Sequence, residues 1–129
     1  MVERGLDLII GVGTDLVEIK RIETALKTDS FKSRCFTLDE LHMAKDSPTK
    51  LAGNFAVKEA VVKAFGCGFY PVGPSEIEVL RDPSGKPYVT LTGEAKNKAE
   101  ELGVTSIQVS ISNTKDYALA FAVAEGGLA

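Results

Sequence analysis

Two charged residues on an apolar segment, Glu59 and Lys63, are the first candidates for chemistry in this sequence. Segment 55–66 is predicted to be a helix that is apolar on nearly every face, a pattern typical of a buried helix. The two charges lie on one stripe of that helix, one turn apart. Because a buried charge costs several kcal/mol unless it is paired or bound, the stripe indicates that this carboxylate and ammonium have a partner.

Two interpretations of this stripe remain open. A Glu–Lys pair four residues apart often satisfies itself on a partly hydrated helix face. Conversely, Ala52 and Ala56 leave room beside the charges, and a Gly-Cys-Gly turn at 66–68 follows the helix. We favour a ligand site on these grounds. Lys58 lies in the same segment and is assigned no role.

The elements that position this stripe begin with a strand and a helix. Residues 8–13 have the apolar pattern of a buried strand that ends on glycines. Asp15, with Glu18 three positions later, has the pattern of a capping box, in which Asp15 is the N-cap. This pattern predicts a helix that continues to about Lys27.

Two more helices are predicted before the middle of the chain. Thr37 and Glu40 form a second capping-box pattern, which predicts a short helix through Lys45. Ser47 followed by a proline predicts the start of the long central helix, because proline is well tolerated in the first helical turn. That helix is expected to run to residue 65 and to stop at glycine 66.

The second half of the chain is predicted to be mostly strand. The expected elements are strands 77–80 and 88–92 joined by a turn at 82–85, a helix 93–102, and strands 107–112 and 117–124 joined by a loop at 113–116. The last strand alternates large residues with four alanines, which allows a close approach on the alanine face. We therefore expect one α+β domain over residues 1–129, with a largely antiparallel sheet packed on a long central helix.

Composition excludes several classes of protein. The chain has 129 residues, 44% hydrophobic and 26% charged, as expected for one globular domain. No apolar run reaches the roughly 18 residues of a membrane span, and the acidic N-terminus is unlike a signal peptide, so we expect a cytoplasmic protein without membrane association. A net charge of −3 argues against a nucleic-acid partner. Cys35 and Cys67 fit no metal-binding spacing and are predicted to be small buried hydrophobes.

A local basic cluster stands out in this acidic chain. It consists of Lys20, Arg21, Lys27, Lys32 and Arg34. Such a cluster is usually a solvated helix face, but it also fits a docking surface for an acidic partner. The pattern alone leaves both interpretations open.

Four segments together connect the chain to a known family. They are GVGTDLVEIKRI at 11–22, FAVKEAVVKAFG at 55–66, DPSGKPY at 82–88 and VSISNTKDYA at 109–118. In this order they resemble the holo-acyl-carrier-protein synthases, the small 4′-phosphopantetheinyl transferases, over nearly the whole chain. The resemblance implies transfer of the phosphopantetheine arm of coenzyme A to a serine of apo acyl carrier protein, with release of 3′,5′-ADP. The alternative is a non-catalytic module of the same fold that binds a nucleotide or the carrier protein.

The resemblance also implies roles for individual residues. Asp15 and Glu59 would hold Mg²⁺ through hard oxygen ligands, and Lys63 would neutralise phosphate oxygens. Arg21 and Lys27 would face the acidic carrier protein. The implied nucleotide pocket consists of Asn54, Lys63, Gly66, Gly85, Lys86, Pro87, Ser110, Asn113 and Thr114. From the residues alone, a helix cap for Asp15 and a plain hairpin turn at 85–87 remain the alternatives.

Two positions depart from the family pattern. The family usually has arginine at the position of Asn54 and histidine at that of Asn113, both expected near the 3′-phosphate of coenzyme A. An uncharged amide binds an anion less strongly, so we expect a weakened 3′-phosphate site and less discrimination against dephospho-coenzyme A. The residue that accepts the serine proton stays open between Glu59 and a metal-bound water. The single histidine, His42, is predicted on a surface helix without a role.

The resemblance further implies a homotrimer with active sites between subunits and a place in fatty-acid and lipid biosynthesis. The alanine face of the last strand and the polar face of the preceding strand are compatible with a tight interface. This compatibility alone does not establish an interface.

Overall fold

Two antiparallel sheets and five α-helices make up residues 7–127, the part of the chain that the computed structural model describes. The elements are β1 (Asp7–Glu18), α1 (Ile19–Ala25), α2 (Asp29–Cys35), α3 (Leu38–Ala44), α4 (Pro48–Ala64), a 3₁₀ turn (Pro74–Glu76), β2 (Ile77–Arg81), β3 (Pro87–Leu91), α5 (Gly93–Leu102), β4 (Ser106–Asn113) and β5 (Tyr117–Gly127). One sheet has the strand order β1-β5-β4, and the other is the β2-β3 hairpin. The predicted α+β class with antiparallel pairing on a long helix is confirmed.

The first strand is longer than the sequence predicts. β1 pairs with β5 as far as Glu18↔Tyr117, and Asp15 lies opposite Ala120. The capping-box prediction for Asp15 was therefore wrong, because α1 begins only at Ile19 and has no side-chain cap. The long antiparallel ladder gives a partner to each backbone group of β1 that faces β5, and this pairing outweighs a local capping pattern. Asp15 is a strand residue.

Small residues let the central helix approach the three-stranded sheet closely. A β-carbon at Gly11 or Gly13 would collide with the backbone carbonyl of Ala64 or Ala60 on α4. On the neighbouring strand, four alanines of β5 are buried beneath the same helix: Ala118, Ala120, Ala122 and Ala124. α4 therefore covers this alanine face, which is not available to a second subunit.

The opposite face of the same sheet exposes large apolar side chains. Val12 and Leu16 of β1 are 54% and 61% exposed, and Leu119 and Phe121 of β5 are 44% and 43% exposed. Here they are called the apolar sheet face. It lies on the side of the sheet away from α4, because side chains alternate between the two faces of a strand.

The predicted helix signals are mostly confirmed. Thr37 forms a complete capping box with Glu40, and the side chain of Ser47 caps α4, which has Pro48 in its first turn. The sequence did not predict α2, which lies between α1 and the Thr37 cap of α3. Cys35 is buried as expected, whereas Cys67 is only half-buried beside the core. No helix within residues 7–127 is both long and apolar enough to cross a bilayer.

Candidate active site

A cavity of about 380 Å³ lies where β1, α1, α2 and α4 meet. It brings together three residues that the sequence singled out: Asp15 from β1, Arg21 from α1 and Glu59 from α4. Its remaining lining is mainly apolar and consists of Val17, Glu18, Ile22, Ala25, Phe31 and Phe55. The metal-binding pair that the family resemblance implied therefore shares one cavity with the basic residue assigned to the carrier protein.

Lys63 ties α4 to β1 at this cavity. Its Nζ donates to Oδ1 of Asp15 at 3.2 Å and to the carbonyl of Thr14 at 3.0 Å. The Lys63 side chain is 54% exposed, so this contact leaves much of the ammonium open to solvent. The interpretation of a self-satisfied Glu59–Lys63 pair was wrong, since within residues 7–127 the ion pair of Lys63 is with Asp15.

The cavity carries more negative than positive charge around Glu59. Burial, and then the nearby Asp15 carboxylate, raise the pKa of Glu59 above its usual value, while Lys63 opposes this shift. Two neighbouring carboxylates that share one lysine favour a bound cation. Within residues 7–127 no group of three His, Cys, Asp or Glu side chains gathers as a metal site, so the protein would supply two carboxylates here. This donor set fits Mg²⁺, which keeps water and substrate oxygens as its other ligands.

A second cavity, of about 230 Å³, contains part of the implied nucleotide pocket. Gly85 and Pro87 of the β2–β3 hairpin face Asn113 at the end of β4 across it, and Gly53 of α4 also contributes. The complete lining is Thr49, Lys50, Gly53, Arg81, Gly85, Pro87, Ile111 and Asn113. The sequence analysis missed the two cations, Lys50 and Arg81. Each lies in an ordinary helix or strand pattern, and only the fold places them together.

Several predicted residues lie outside both cavities: Gly66, Lys86, Ser110, Thr114 and Lys27. The first four are exposed at the end of α4, in the hairpin turn, on β4 and in the β4–β5 loop. Asp82 holds the hairpin turn together: its Oδ1 accepts from the amide of Lys86, and its amide donates to the carbonyl of Lys86. Lys27 lines a separate cavity beside α3 and the start of α4.

The two cavities share no lining residue within one chain. Gly53 and Glu59, which line one cavity each, are about 9 Å apart along the axis of α4. The structure therefore assembles two partial sites on one helix. It does not join the carboxylates to the hairpin loop within a single subunit.

Asn54, expected near the 3′-phosphate of coenzyme A, does not lie at a ligand-accessible surface. It is fully buried, and its Nδ2 donates to Oε2 of Glu40 and to the carbonyl of Val79, both at 2.9 Å. With no exposed area, its side chain offers nothing to a ligand, so its prediction as a coenzyme A contact was wrong. Asn54 faces the core because α4 packs against β2 at this position.

Asn54 belongs to a buried polar cluster that the sequence analysis also missed. Lys58 is fully buried one turn further along α4, and its Nζ lies 2.7 Å from Oε1 of the fully buried Glu40. Burial lowers the pKa of Lys58 and raises that of Glu40, and the opposite charge of each opposes the shift in the other. The available signal was Lys58 itself, a charge on an apolar helix that needed a partner as much as Glu59 did.

Comparison with known proteins agrees with this architecture. The model of the 4′-phosphopantetheinyl transferase superfamily matches residues 11–122. A holo-[acyl-carrier-protein] synthase of Lachnoclostridium phytofermentans is 48% identical over 118 residues, 92% of this chain and 97% of that protein. The acyl carrier protein synthase of Plasmodium yoelii with ADP bound has a TM-score of 0.87 at 32% identity, covering 96% of this chain and 100% of that chain.

A bacterial structure gives the same result. The holo-[acyl-carrier-protein] synthase of Helicobacter pylori in complex with coenzyme A has a TM-score of 0.80 at 32% identity, covering 88% of this chain and 98% of that chain. The fold, the site and these matches define the class: the chain belongs to the 4′-phosphopantetheinyl transferase superfamily. It is therefore an enzyme, and within the superfamily it is of the holo-[acyl-carrier-protein] synthase type. The resemblance recognised in the sequence is confirmed.

Proposed function

We propose that this enzyme transfers the 4′-phosphopantetheine arm of coenzyme A to a serine of an apo acyl carrier protein, with Mg²⁺ as cofactor and 3′,5′-ADP as product. The observation that carries the proposal is the shared cavity of Asp15 and Glu59, with Lys63 on Asp15. Coenzyme A and ADP in the solved relatives support the same substrate class.

Asp15 and Glu59 are the residues that would hold Mg²⁺. When bound, the ion would neutralise charge on the diphosphate of coenzyme A and favour departure of the nucleotide. Lys63, more than half exposed beside Asp15, can donate to a phosphate oxygen without losing its contact to the strand carbonyl of Thr14. Two anions and one cation on fixed elements thus fit a ligand that itself combines a divalent cation with phosphate oxygens.

The reaction exchanges one phosphorus–oxygen bond for another. The serine oxygen forms a bond to the phosphorus that carries the pantetheine arm, the bond from this phosphorus to 3′,5′-ADP breaks, and the serine proton passes to a base. Glu59 and a water molecule in the carboxylate cavity are the two candidates for this base; burial and Asp15 raise the pKa of Glu59 in the metal-free protein, and a bound cation would oppose that shift.

The second cavity is our candidate for the 3′-phosphate end of the nucleotide. Lys50 and Arg81 are two cations at its wall, and Asn113 adds an amide donor. These cations take the place that the sequence analysis looked for at Asn54. We therefore revise the expectation of weak discrimination: the enzyme should prefer coenzyme A over dephospho-coenzyme A, and Arg81→Met should reduce that preference.

Assembly into a homotrimer would explain two otherwise separate observations. The apolar sheet face exposes Val12, Leu16, Leu119 and Phe121 in a single chain. The carboxylate cavity and the hairpin cavity share no residue in that chain, although one coenzyme A molecule needs both. A rotational oligomer can bring the carboxylates of one subunit to the hairpin of the next and bury the apolar sheet face at the same time.

Phe121→Glu tests this assembly. A carboxylate on the apolar sheet face should dissociate the oligomer, because burying an unpaired charge in an interface is costly. Native mass spectrometry should show a trimer for the wild type and a monomer for the variant, and transferase activity should be lost with it. A wild-type monomer with full activity would refute the proposed assembly.

The carrier protein is proposed to dock over α1. Arg21 is exposed and lines the carboxylate cavity, and Lys27 is exposed just beyond the end of α1, where it lines a separate cavity. An acidic partner held there would present its serine to Glu59. Arg21→Glu should raise KM for the carrier protein and leave KM for coenzyme A unchanged in initial-rate measurements.

The transfer itself is tested by intact mass spectrometry. Incubation with apo acyl carrier protein, coenzyme A and Mg²⁺ should add one phosphopantetheine to the carrier, and EDTA should prevent the addition. Glu59→Gln should slow the addition by about 10²- to 10³-fold, whereas Glu100→Gln, the same change at an exposed position of α5, should keep the wild-type rate. Binding of 3′,5′-ADP without any adduct at high enzyme concentration would instead identify a binding module.

A further inference from the structure

The β2–β3 hairpin is held to the central helix by two side chains of α4. Lys58 Nζ donates to the carbonyl of Ile77 at 2.6 Å, and Asn54 Nδ2 donates to the carbonyl of Val79 at 2.9 Å. β2 pairs with β3 only, and the amide of Thr92 already donates to the Glu76 carbonyl on that side. The carbonyls of Ile77 and Val79 therefore point to the open edge of β2, where they need other donors.

The spacing of donors and acceptors matches. Residues four apart on a helix are separated by about 6 Å along the axis, and alternate residues of a strand by about 6.6 Å. Asn54 and Lys58 can thus reach the carbonyls of Ile77 and Val79 together. A shift of β2 along α4 would leave the buried ammonium of Lys58 without this acceptor, so the two side chains specify one register.

Glu40 makes this arrangement rigid. Its carboxylate accepts from Lys58 at 2.7 Å, from Asn54 at 2.9 Å and from the amide of Thr37 at 3.1 Å. The third proton of Lys58 goes to the carbonyl of Pro74 at 3.0 Å. Glu40, Asn54 and Lys58 are all 0% exposed. α3, α4 and the start of β2 are thereby joined through one carboxylate.

Such a cluster is a poor way to gain stability. Desolvation of a buried ion pair offsets most of its attraction, and apolar residues of similar size are often equally stabilising. Asn54 Oδ1 is moreover buried with no hydrogen-bond partner in the described part of the chain, which is itself unfavourable. A role in positioning explains the cluster better than a role in stability.

The element held in this way carries one wall of the hairpin cavity. Arg81, Gly85 and Pro87 belong to the hairpin, and Gly53, next to Asn54, belongs to the opposite wall. Arg81 is two residues beyond Val79, the carbonyl that Asn54 fixes. The register of β2 on α4 therefore sets the width of the cavity and the position of Arg81 in it.

We propose that Glu40, Asn54 and Lys58 are positioning residues that fix the hairpin register on α4 and thereby determine nucleotide affinity. This inference rests on the proposed function, in which the hairpin cavity takes the 3′-phosphate end of coenzyme A. The cluster touches no substrate and acts through Arg81 and the hairpin turn.

The test compares an apolar replacement of the cluster with a matched surface change. The double variant Glu40→Leu/Lys58→Met and the single variant Asn54→Leu remove the side-chain hydrogen bonds to β2 without leaving an unpaired buried charge. Lys98→Met on α5 is the control for loss of a lysine from an ion pair outside the cluster. Calorimetry with 3′,5′-ADP gives Kd, initial rates give KM for coenzyme A and kcat, and thermal melting verifies folding.

We expect the double variant to fold, to bind 3′,5′-ADP on the order of tenfold more weakly and to raise KM for coenzyme A by a similar factor, with kcat changed far less. Lys98→Met should leave all values unchanged. A folded cluster variant that keeps the wild-type Kd and KM overturns the inference. A folded cluster variant in which only kcat falls overturns it as well. Should the double variant not fold, Asn54→Leu, which removes no charge, decides by the same values. A wild type that binds 3′,5′-ADP but transfers nothing refutes the proposed function instead, and the ratio of Kd values still decides the inference.

Discussion

The two charged faces of α4 use the same residue types in opposite ways. On one face, Lys58 is fully buried, and each of its protons has an acceptor, with Glu40 as the counter-charge. On the other face, Glu59 lies about 100° around the helix from Lys58 and is half-buried beside a second carboxylate, and Lys63 is largely exposed. A satisfied charge fixes how neighbouring elements are positioned, whereas an incompletely satisfied charge is available to a ligand.

This difference explains why spacing alone does not identify a functional charge. Both pairs of α4, Asn54 with Lys58 and Glu59 with Lys63, have the same four-residue separation. What separates them is the number of protein partners that each polar group finds after folding. The predictions that follow test whether the two faces can be changed independently.

Disrupting the face of α4 that carries Asn54 and Lys58, here called the buried face, should have the largest effect. Lys58→Met alone leaves the Glu40 carboxylate buried without its counter-charge, which should lower the free energy of unfolding by about 3–5 kcal/mol. Urea unfolding followed by circular dichroism measures this. The double variant Glu40→Leu/Lys58→Met should recover most of the loss; equal destabilisation in both would contradict the assignment of the cost to an unpaired charge.

The face of α4 that carries Glu59 and Lys63, beside Asp15 of β1, is here called the open face. Changing it should affect catalysis and leave folding intact. Asp15→Asn and Glu59→Gln should each reduce kcat by about 10²- to 10³-fold, the magnitude seen when one electrostatic contact to a transition state is removed. Steady-state assays with saturating coenzyme A and carrier protein measure the reduction. A fall in thermal stability comparable to that of Lys58→Met would mean that the two faces are not distinct.

The lysine of the open face should have a smaller effect. Lys63→Met removes one exposed phosphate contact and should lower kcat/KM for coenzyme A by on the order of tenfold. In the metal-free protein it should also raise the pKa of Glu59 further, since Lys63 is the group that opposes the shift. A carboxyl titration followed by NMR in EDTA should show a higher midpoint for Glu59 in the variant; an unchanged midpoint would contradict this coupling.

The smallest expected effect is on the way thermal stability depends on pH in the metal-free protein. Folding raises the pKa of Glu59, so the protonated form is favoured in the folded state. Its contribution is fully present below the ordinary glutamate pKa and is lost as pH rises through the raised value. In EDTA, Glu59→Gln should therefore melt slightly above the wild type at neutral pH. The difference should vanish in acid; a wild type that gains stability relative to the variant with rising pH would contradict the raised pKa.

Local signals predicted much of the fold, and the open face was predicted better than the buried one. The Thr37 and Ser47 caps, the hairpin turn at Asp82 and the end of α4 depend on neighbouring residues, and sequence patterns describe them well. The family resemblance grouped Asp15 with Glu59, and both line one cavity, but the predicted helix cap at Asp15 was wrong. The pairing of β1 with β5 is a long-range interaction that no local pattern contains.

The buried cluster was missed for the same reason. Glu40 looked complete as a capping residue, which it also is, and nothing in its neighbourhood pointed to Lys58 on the next helix. Arg81 and Lys50 likewise became neighbours only through the packing of the hairpin on α4. Residues that are distant in sequence and individually ordinary are the ones that sequence reasoning cannot bring together.

The pairing of β1 with β5 has a consequence for how the enzyme is made. Asp15 and the residue that pairs with it, Ala120, are 105 positions apart in the sequence. A contact between such distant segments closes late and slowly, since the loop entropy must be overcome first. A nascent chain on the ribosome can therefore form its helices early, yet it should acquire the carboxylate cavity only when β5 has emerged.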